Sequence, residues 1–471
     1  MEKIKSTNEK YKSLLILTAV FFVNYFLVWI FFIRETENLL RGSLLYLGIQ
    51  LAVFCVFLSY LFFSSKKIVN DVKKTAALSF IIVLSFLLFT VFLRFFKLDY
   101  IIPYCLCGLI GASVIENRTA FMANITILLC FFAAVALFCN LPLAHLFYIL
   151  FAGILGSVFA NFMTDPYMTR IRYVWMGLIL GAVNAAFALV TYFMFDTVFE
   201  AEAFTLSLVT AFAAGPLAIM LLFFIVPLTE RFFGQVTNFR LAELTNTNQP
   251  LLKRLFNEAP GTFNHCLTVS NYAQACASAI GANPFLARAV SYYHDIGKLK
   301  NPLLFIENQS GRNPHDELSP EASVLSLKKH VLYGYALAKE NNLPEEVCRG
   351  ILEHHGTMLI KFFYSKAKKL TDGDLPYDNY RYDGPKPASK ISAILMICDA
   401  CEAALRAAND KTRAREIVNS IVEERMQFEQ FTSCDITMQE IEIVKSTITD
   451  TYLGYKHERI DYPTMKFGGE K

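Results

Sequence analysis

The chain has almost no net charge: 44 Lys and Arg against 41 Asp and Glu leave +3 over 471 residues. A balance this close, with both signs interspersed, excludes the broad basic footprint that grips DNA or RNA. No nucleic-acid polymer is expected as a partner. Nor do the eleven cysteines form a framework of the secreted kind. Cys55, Cys105, Cys107, Cys130 and Cys139 lie in or beside apolar segments, where reduced thiols packed as small hydrophobes are expected. Cys398 and Cys401 make a CxxC with no second pair and with Asp399 between them, which points to core packing rather than zinc or redox use. Internal repeats and strand-period runs of useful length are missing too, so the expected fold class is all-α. No carboxylate or arginine pair interrupts the long apolar runs, which leaves a proton or ion pathway without support.

What the chain has in excess is apolar surface. Hydrophobic residues make up 54%, with 43 Phe, more than a soluble globule carries, and the excess lies before residue 228. A lipid-spanning helix needs about 20 mostly apolar residues. Eight candidates meet or approach this, at roughly 13–33, 43–63, 76–93, 100–116, 121–139, 143–162, 173–195 and 204–226. The fourth is the weakest, because Pro103 and several small residues dilute it. The first is too long for a cleaved signal peptide, and no small-residue cleavage site follows it.

Positive charge sets the orientation. Lys3, Lys5, Lys10 and Lys12 precede the first span, and Lys66, Lys67, Lys73 and Lys74 follow the second. Arg118, then Arg170 and Arg172, then Arg231 continue that side. The opposite loops hold Arg34, Arg41, Arg94 and Lys97, and the 196–203 loop adds Asp196, Glu200 and Glu202. Both termini are expected in the cytoplasm, which an even number of spans satisfies. Asn24 and Asn184 are polar residues at mid-span, suited either to interhelical hydrogen bonds or to a ligand pocket. Gly177, Gly181 and Ala185 form a small-residue stripe that lets helices approach closely.

The second half reads as helical. Residues 229–252 look like an amphipathic connecting helix broken at Pro250. Asn283-Pro284 and Ser319-Pro320-Glu321 each place a capping side chain before a proline at the first helical position. Gly297 and Gly356 fall where helices would end, and the polar stretch 365–387 reads as a long loop. The organisation expected is a multi-span domain over 1–227, a connecting helix or linker over 228–252, a helical domain over 253–455 and a loose charged tail over 456–471.

Within the helical domain, six of the chain's eight histidines lie between residues 265 and 355. Five of them, His265, His294, His330, His354 and His355, are joined by Asp295 and Asp399. Imidazoles and carboxylates without a thiolate suit a hard-to-borderline divalent metal. Neighbouring side chains on a helix diverge by roughly 100°. The adjacent pairs His294-Asp295 and His354-His355 therefore suit one metal only near a helix end, or else two metals with a bridging carboxylate. Asp399 is embedded in the apolar run ISAILMICDACEAALRA, where a lone carboxylate costs several kcal/mol unless paired or metal-bound. Lys298, one turn past Asp295, is placed either to reach a substrate at the centre or to sit solvated. His315, in NPHDEL, is a candidate for substrate contact or for loop hydrogen bonding. His145 and His457 read as ordinary packing residues.

The segments PLLKRLFNEAPGTFNHCLTVSNYA, AVSYYHDIGKLKNPLLFIENQ and ILEHHGT, with Asp399 in ICDACEAA, resemble the HD-domain metal-dependent phosphohydrolases. More narrowly they resemble the seven-transmembrane receptors with intracellular HD hydrolase, whose studied members are cyclic-di-AMP phosphodiesterases. The resemblance is close over roughly 230–455 and architectural over the spans. It implies two iron or manganese ions. His265, His294, Asp295 and Asp399 would hold one, Asp295 would bridge, and His330, His354 and His355 would hold the other. It also implies cleavage of cyclic di-AMP to linear 5′-pApA in a bacterial plasma membrane, with the HD domain cytoplasmic and a homodimer among the possible assemblies. Enzymes of the related HD-GYP branch, which cleave cyclic di-GMP, follow their HisHis pair with a GYP motif, whereas this chain continues GTMLIKFFY. Family members usually carry a large extracellular domain after the first span. Here about nine residues, Arg34 to Gly42, fill that position, so ligand sensing through such a domain is not expected. The alternatives are an HD phosphohydrolase for another cyclic dinucleotide or a nucleoside phosphate, or a non-catalytic nucleotide-binding membrane sensor.

Overall fold

The computed structural model describes residues 2–36, 38–96, 100–164, 169–195, 199–370 and 374–455. Lys97, Asp196, His457 and the tail expected over 456–471 lie outside them. Among the described residues the secondary structure is helical, and the one strand-like feature is an isolated bridge between Leu359 and Arg381. The chain divides into two compact units, Met1–Thr237 and Asn238–Lys471.

The first unit contains α1 (Glu2–Phe31), α2 (Leu39–Ser64), a short α3 (Lys66–Val69), α4 (Val72–Val91), α5 (Leu106–Val114), α6 (Asn117–Phe138), α7 (Leu143–Met163), α8 (Arg170–Phe195) and α9 (Ala201–Phe233). A π-type turn, Phe92–Phe96, lengthens α4. Among the described residues seven helices are long and apolar enough to cross a membrane, which leaves out α3 and α5. Large apolar side chains such as Phe63, Phe162 and Phe224 stand exposed on them, as expected where lipid is the solvent. This is a membrane protein.

The fourth expected span is not a continuous helix. Only Leu106–Val114 is helical, because Pro103 lacks an N–H and keeps residues 101–103 out of the helix. The segment nevertheless packs beside α6 and α7. At one end the Tyr148 hydroxyl, near the start of α7, donates to the Tyr100 carbonyl at 3.0 Å. At the other end α5 turns directly into α6. Asn124 of α6 satisfies the broken stretch: its Oδ1 accepts from Gly108 N at 3.0 Å and its Nδ2 donates to Tyr104 O at 2.9 Å. Irregular backbone at membrane depth requires partners of this kind.

The small-residue stripe on α8 packs against α9. A Cβ on Gly215 would come within 2.2 Å of Gly177 O, and one on Gly181 within 2.4 Å of Phe212 O. Asn24 and Asn184 are both buried. The stretch expected as one connecting helix is divided. Gly234 takes the left-handed conformation (φ +63°) that stops α9, and helix resumes only at Asn238.

The second unit contains α10 (Asn238–Leu244), α11 (Pro250–Glu258), α12 (Pro260–Ala279), α13 (Pro284–Tyr293), α14 (Pro320–Glu340), α15 (Glu345–Glu353), α16 (Lys361–Leu370), α17 (Lys390–Ala408), α18 (Ala414–Gln427) and α19 (Met438–Tyr455). Asn283 and Ser319 cap α13 and α14 as expected. Helix α16 occupies the start of the stretch read as a long loop. Phe363 and Ala367, spaced four apart, give it a buried face that packs on Val324 and Tyr380. At the centre α12 and α17 pack side by side, with Ala393, Ile394, Ile397 and Cys398 of α17 fully buried.

Candidate metal centre

His294 and Asp295 lie just past the end of α13, where the chain turns into a 3-10 segment, Ile296–Lys300. Asp295 has left the helix (φ −108°, ψ 13°), so the two adjacent side chains need not diverge and can face one point. The 3-10 segment rests directly on α14. A Cβ on Gly297 would lie 1.8 Å from His330 O, so only glycine permits the contact that brings Asp295 beside His330. His354 and His355 likewise follow the end of α15, and Gly356 (φ +51°) turns the chain away behind them. Helix α12 contributes His265, and α17 contributes Asp399.

These seven residues converge. Asp295 divides them by its two oxygens. Oδ2 lies 3.3 Å from His294 Nε2 and 3.6 Å from His265 Nε2. Oδ1 lies 3.4 Å from His330 Nε2 and 3.8 Å from His354 Nε2. Asp399 Oδ1 is 3.0 Å from His265 Nε2 and 3.7 Å from His294 Nε2, and its Oδ2 is 3.7 Å from His355 Nδ1. Two groups could each hold an ion, His265–His294–Asp399 and His330–His354–His355. Cys266, His294 and Asp295 form a further close group. The Cys266 thiol, however, lies 3.8 Å from His294 Nδ1, and that nitrogen already donates to Ser291 O at 2.7 Å. The thiol therefore sits on the side of the ring turned away from the centre.

The donor atoms fit cations better than they fit one another. His330 Nδ1 donates to Leu327 O at 2.6 Å and His354 Nδ1 to Ile351 O at 2.8 Å, yet their Nε2 atoms face each other at 3.3 Å. A carbonyl only accepts, so each neutral ring turns a lone pair toward the other. Such a pair repels unless a cation lies between. Buried His294 Nε2 and Asp295 Oδ1 are likewise without hydrogen-bond partners, which a native site rarely tolerates without a reason.

Electrostatics points the same way. Burial alone would raise the Asp295 carboxyl, but the Lys298 ammonium beside it and the His294 ring hold it well below the usual carboxylate range. Burial is likewise overcome at Asp399, by the His265 ring 3.0 Å away and by the His294 ring beside it. Burial lowers His354 to about 3 with help from His294, and it lowers His330 and His355 too, so all three rings stay neutral as ligands must. At His265, burial is outweighed by Asp399 and Glu402, which raise it to about 10; at His294, Asp295 outweighs burial. The carboxylates draw positive charge to the centre.

Lys298 is placed differently from the open reach its sequence position allowed. Its Nζ lies 2.7 Å from both Asp295 Oδ2 and Glu307 Oε1, with the Phe305 ring 4.8 Å away. Glu307 in turn accepts from Thr262 Oγ1 at 3.0 Å. Two of the three ammonium donors are thus committed. His315 stands outside the cluster: its Nε2 contacts Leu304 O at 2.9 Å, its ring lies against Phe363, and it does not line the cavity over the centre.

That cavity, of about 410 Å³, opens over His265, His330, His355 and Asp399. Arg406, Arg425 and Lys361 line it on the polar side, Phe305, Leu327 and Tyr382 on the apolar side. Tyr382 stacks on His355 with ring centroids 4.1 Å apart. Glu402, Glu307, Arg425 and Tyr382 all escaped sequence reasoning. Glu402 alone had a readable signal, since it lies three residues past Asp399 on the same helix face.

An all-helical unit gathering a His-Asp pair with further histidines and an aspartate is an HD domain. Residues 262–404 match that family's model, and the fold is one that binds divalent metal. Residues 40–237 match the model described as 7TM receptor with intracellular HD hydrolase. The chain belongs to the seven-transmembrane receptors with intracellular HD hydrolase. Among similar proteins is the cyclic-di-AMP phosphodiesterase PgpH of Listeria monocytogenes, 42% identical over 307 residues, covering 64% of this chain and 43% of the relative. PgpH of Bacillus subtilis is 32% identical over 448 residues, covering 91% of this chain and 62% of the relative. The chain therefore spans about half the length of the curated relatives it matches. The crystal structure of the L. monocytogenes PgpH HD domain in complex with cyclic-di-AMP is 45% identical, with 45% of this chain and 100% of that chain covered and a TM-score of 0.44.

Proposed function

We propose that this protein is a membrane-held, metal-dependent phosphodiesterase that opens cyclic di-AMP to linear 5′-pApA on a pair of manganese or iron ions. The observation that carries the reading is the division of Asp295, one oxygen toward His265 and His294 and the other toward His330 and His354. A carboxylate so placed would bridge two ions. His265, His294 and Asp399 would complete one position, and His330, His354 and His355 the other. When bound, such a pair supplies an acidified water and neutralises charge developing on the phosphoryl oxygens. Cyclic di-AMP is favoured because two relatives, matched over 64% and 91% of this chain, are cyclic-di-AMP phosphodiesterases.

The chain's own residues have separable tasks in this reading. Lys298, held by Glu307, fixes Asp295 and keeps it ionised, and its remaining N–H is available to a non-bridging phosphoryl oxygen. Arg425 and Arg406 give the cavity cationic partners for phosphate. Phe305, Leu327 and Tyr382 give it an apolar wall for the bases. The basic residues flanking the first three spans support a cytoplasmic HD domain. Counting 100–114, which packs beside α6 and α7, as a further crossing would make the number even, in keeping with that orientation.

The test uses the full chain purified in detergent and loaded with Mn²⁺, given cyclic di-AMP and cyclic di-GMP in parallel, with products resolved by chromatography. Conversion of cyclic di-AMP to pApA, lost in Asp295→Asn, is expected. Preferential cleavage of cyclic di-GMP, or full turnover by Asp295→Asn, would refute the substrate or the bridging role respectively.

A further inference from the structure

The four buried imidazoles of the centre that present Nε2 are not held alike. His294, His330 and His354 each donate Nδ1–H to the carbonyl three residues earlier, at 2.6–2.8 Å. His265 instead meets a carboxylate: its Nδ1 lies 2.5 Å from Glu402 Oε2, both side chains buried. The other Glu402 oxygen forms an ion pair with Arg406, whose Nε lies 3.1 Å away. Asp399, Glu402 and Arg406 stand at i, i+3 and i+7, so one face of α17 delivers a ligand, the support of a second ligand and the anchor of that support. A carboxylate behind an imidazole fixes which nitrogen faces the ion and makes that nitrogen a stronger donor than a carbonyl does.

Charge adds to the asymmetry. The His265 side of Asp295 has Asp399 as a second carboxylate and Glu402 behind it, whereas the other side gathers three histidines and no further carboxylate. Resting on the two-ion reading above, we propose that Glu402 is a positioning residue that makes the His265–His294–Asp399 position the tighter of two unequal cation positions.

Equilibrium dialysis of Mn²⁺ against the detergent-purified full chain tests this without reference to turnover. The wild type should bind two ions in two resolved steps. Glu402→Ala should weaken the tighter step by about 10- to 100-fold and leave the weaker step in place. Glu402→Gln, which keeps an acceptor for His265 Nδ1–H but not the charge, should fall between. If the alanine variant does not fold, the glutamine variant decides. An unmoved first step, two steps weakened equally, or two indistinguishable steps in the wild type would each overturn the proposal while leaving the two-ion reading intact. A wild type that binds no Mn²⁺ would overturn that reading and this inference together.

Discussion

The two units bury polar groups by opposite rules. In the first, every buried polar side chain among the described residues is an amide or a hydroxyl, and none is a carboxylate, imidazole, ammonium or guanidinium. In the second, His265, His294, Asp295, His330, His354, Glu353 and Glu402 are all buried. Hydroxyls of the first unit mostly spend themselves locally, as when Thr90 and Thr126 donate to carbonyls four residues back. Lipid offers a charge no relief, so a spanning helix keeps its polar atoms few, neutral and dispersed. The second unit tolerates charge because the groups converge, each ring and carboxylate partly solving the other's problem and the remainder being left for cations. Close packing is common to both; convergence is peculiar to the second.

The sharpest way to test that contrast is to remove the ions. A ligand bound only by the folded state at about 1,000 times its Kd contributes about 4 kcal/mol. Exhaustive chelation of the full chain should therefore cost the second unit stability of that order. Hydrogen exchange should quicken in α12, α13, α14 and α17 and stay unchanged in α6 to α9. Equal quickening in both units would erase the distinction.

Next come paired glycine substitutions. Gly297→Ala puts a Cβ 1.8 Å from His330 O, and Gly215→Ala puts one 2.2 Å from Gly177 O. Both displace backbone, so each should cost at least the upper end of the about 1–3 kcal/mol typical of overpacking. Their consequences should differ. Gly297→Ala separates Asp295 from His330 and should reduce the Mn²⁺ bound per chain. Gly215→Ala should lower the melting temperature in detergent while leaving metal content unchanged. Loss of metal in both variants would mean that packing, rather than placement, governs the centre.

How far the sequence revealed this arrangement follows from the same contrast. The seven converging residues were legible because histidines and a buried aspartate are rare enough on apolar helices to require a common explanation. Glu307 and Arg425 were not, and Glu402 was legible only through its spacing from Asp399. A Glu or Arg on a helix is ordinarily a solvated residue, and only the tertiary packing of α17 and α18 and of the 302–309 turn turns them inward. The continuous fourth span failed for a local reason, since hydropathy counts Pro103 as mildly unfavourable while the backbone treats it as a break. The connecting stretch is interrupted for a similarly local reason, at Gly234. Asn124, which repairs the broken stretch, has no signal of its own, because an amide in an apolar run reads the same whether it caps, bridges or idles.

Arg425 offers a smaller test. Its guanidinium is half-buried: Nε has no hydrogen-bond partner, Nη1 donates to Ile421 O at 3.1 Å, and Glu424 stands 3.6 Å away. Burial lowers its pKa, so the folded chain leaves this charge under-compensated beside the cavity. A hydrogen bond to a charged group is worth about 1.5–3 kcal/mol. If substrate phosphate supplies the missing partner, Arg425→Ala should raise KM for cyclic di-AMP roughly tenfold or more, with Mn²⁺ stoichiometry unchanged. An unchanged KM would make Arg425 a packing residue.

The smallest expected effect lies in the first unit, at Asn24. Its side chain is buried and its Oδ1 has no partner among the described residues, while Gln50 of α2 donates across to Phe21 O one turn earlier on α1. An amide oxygen that bonds nothing gains nothing from being polar, and an apolar side chain of similar volume removes its desolvation cost. Asn24→Leu should therefore change unfolding stability by no more than about 0.5 kcal/mol, or raise it, as read by thermal unfolding in detergent. The outcome that matters is the opposite one. A loss of about 2 kcal/mol or more would mean that Asn24 is satisfied in the working protein by a water or another polar molecule held between α1 and α2. The first unit would then also gather polar atoms around something, and the line between a unit that disperses them and one that converges them would have to be redrawn.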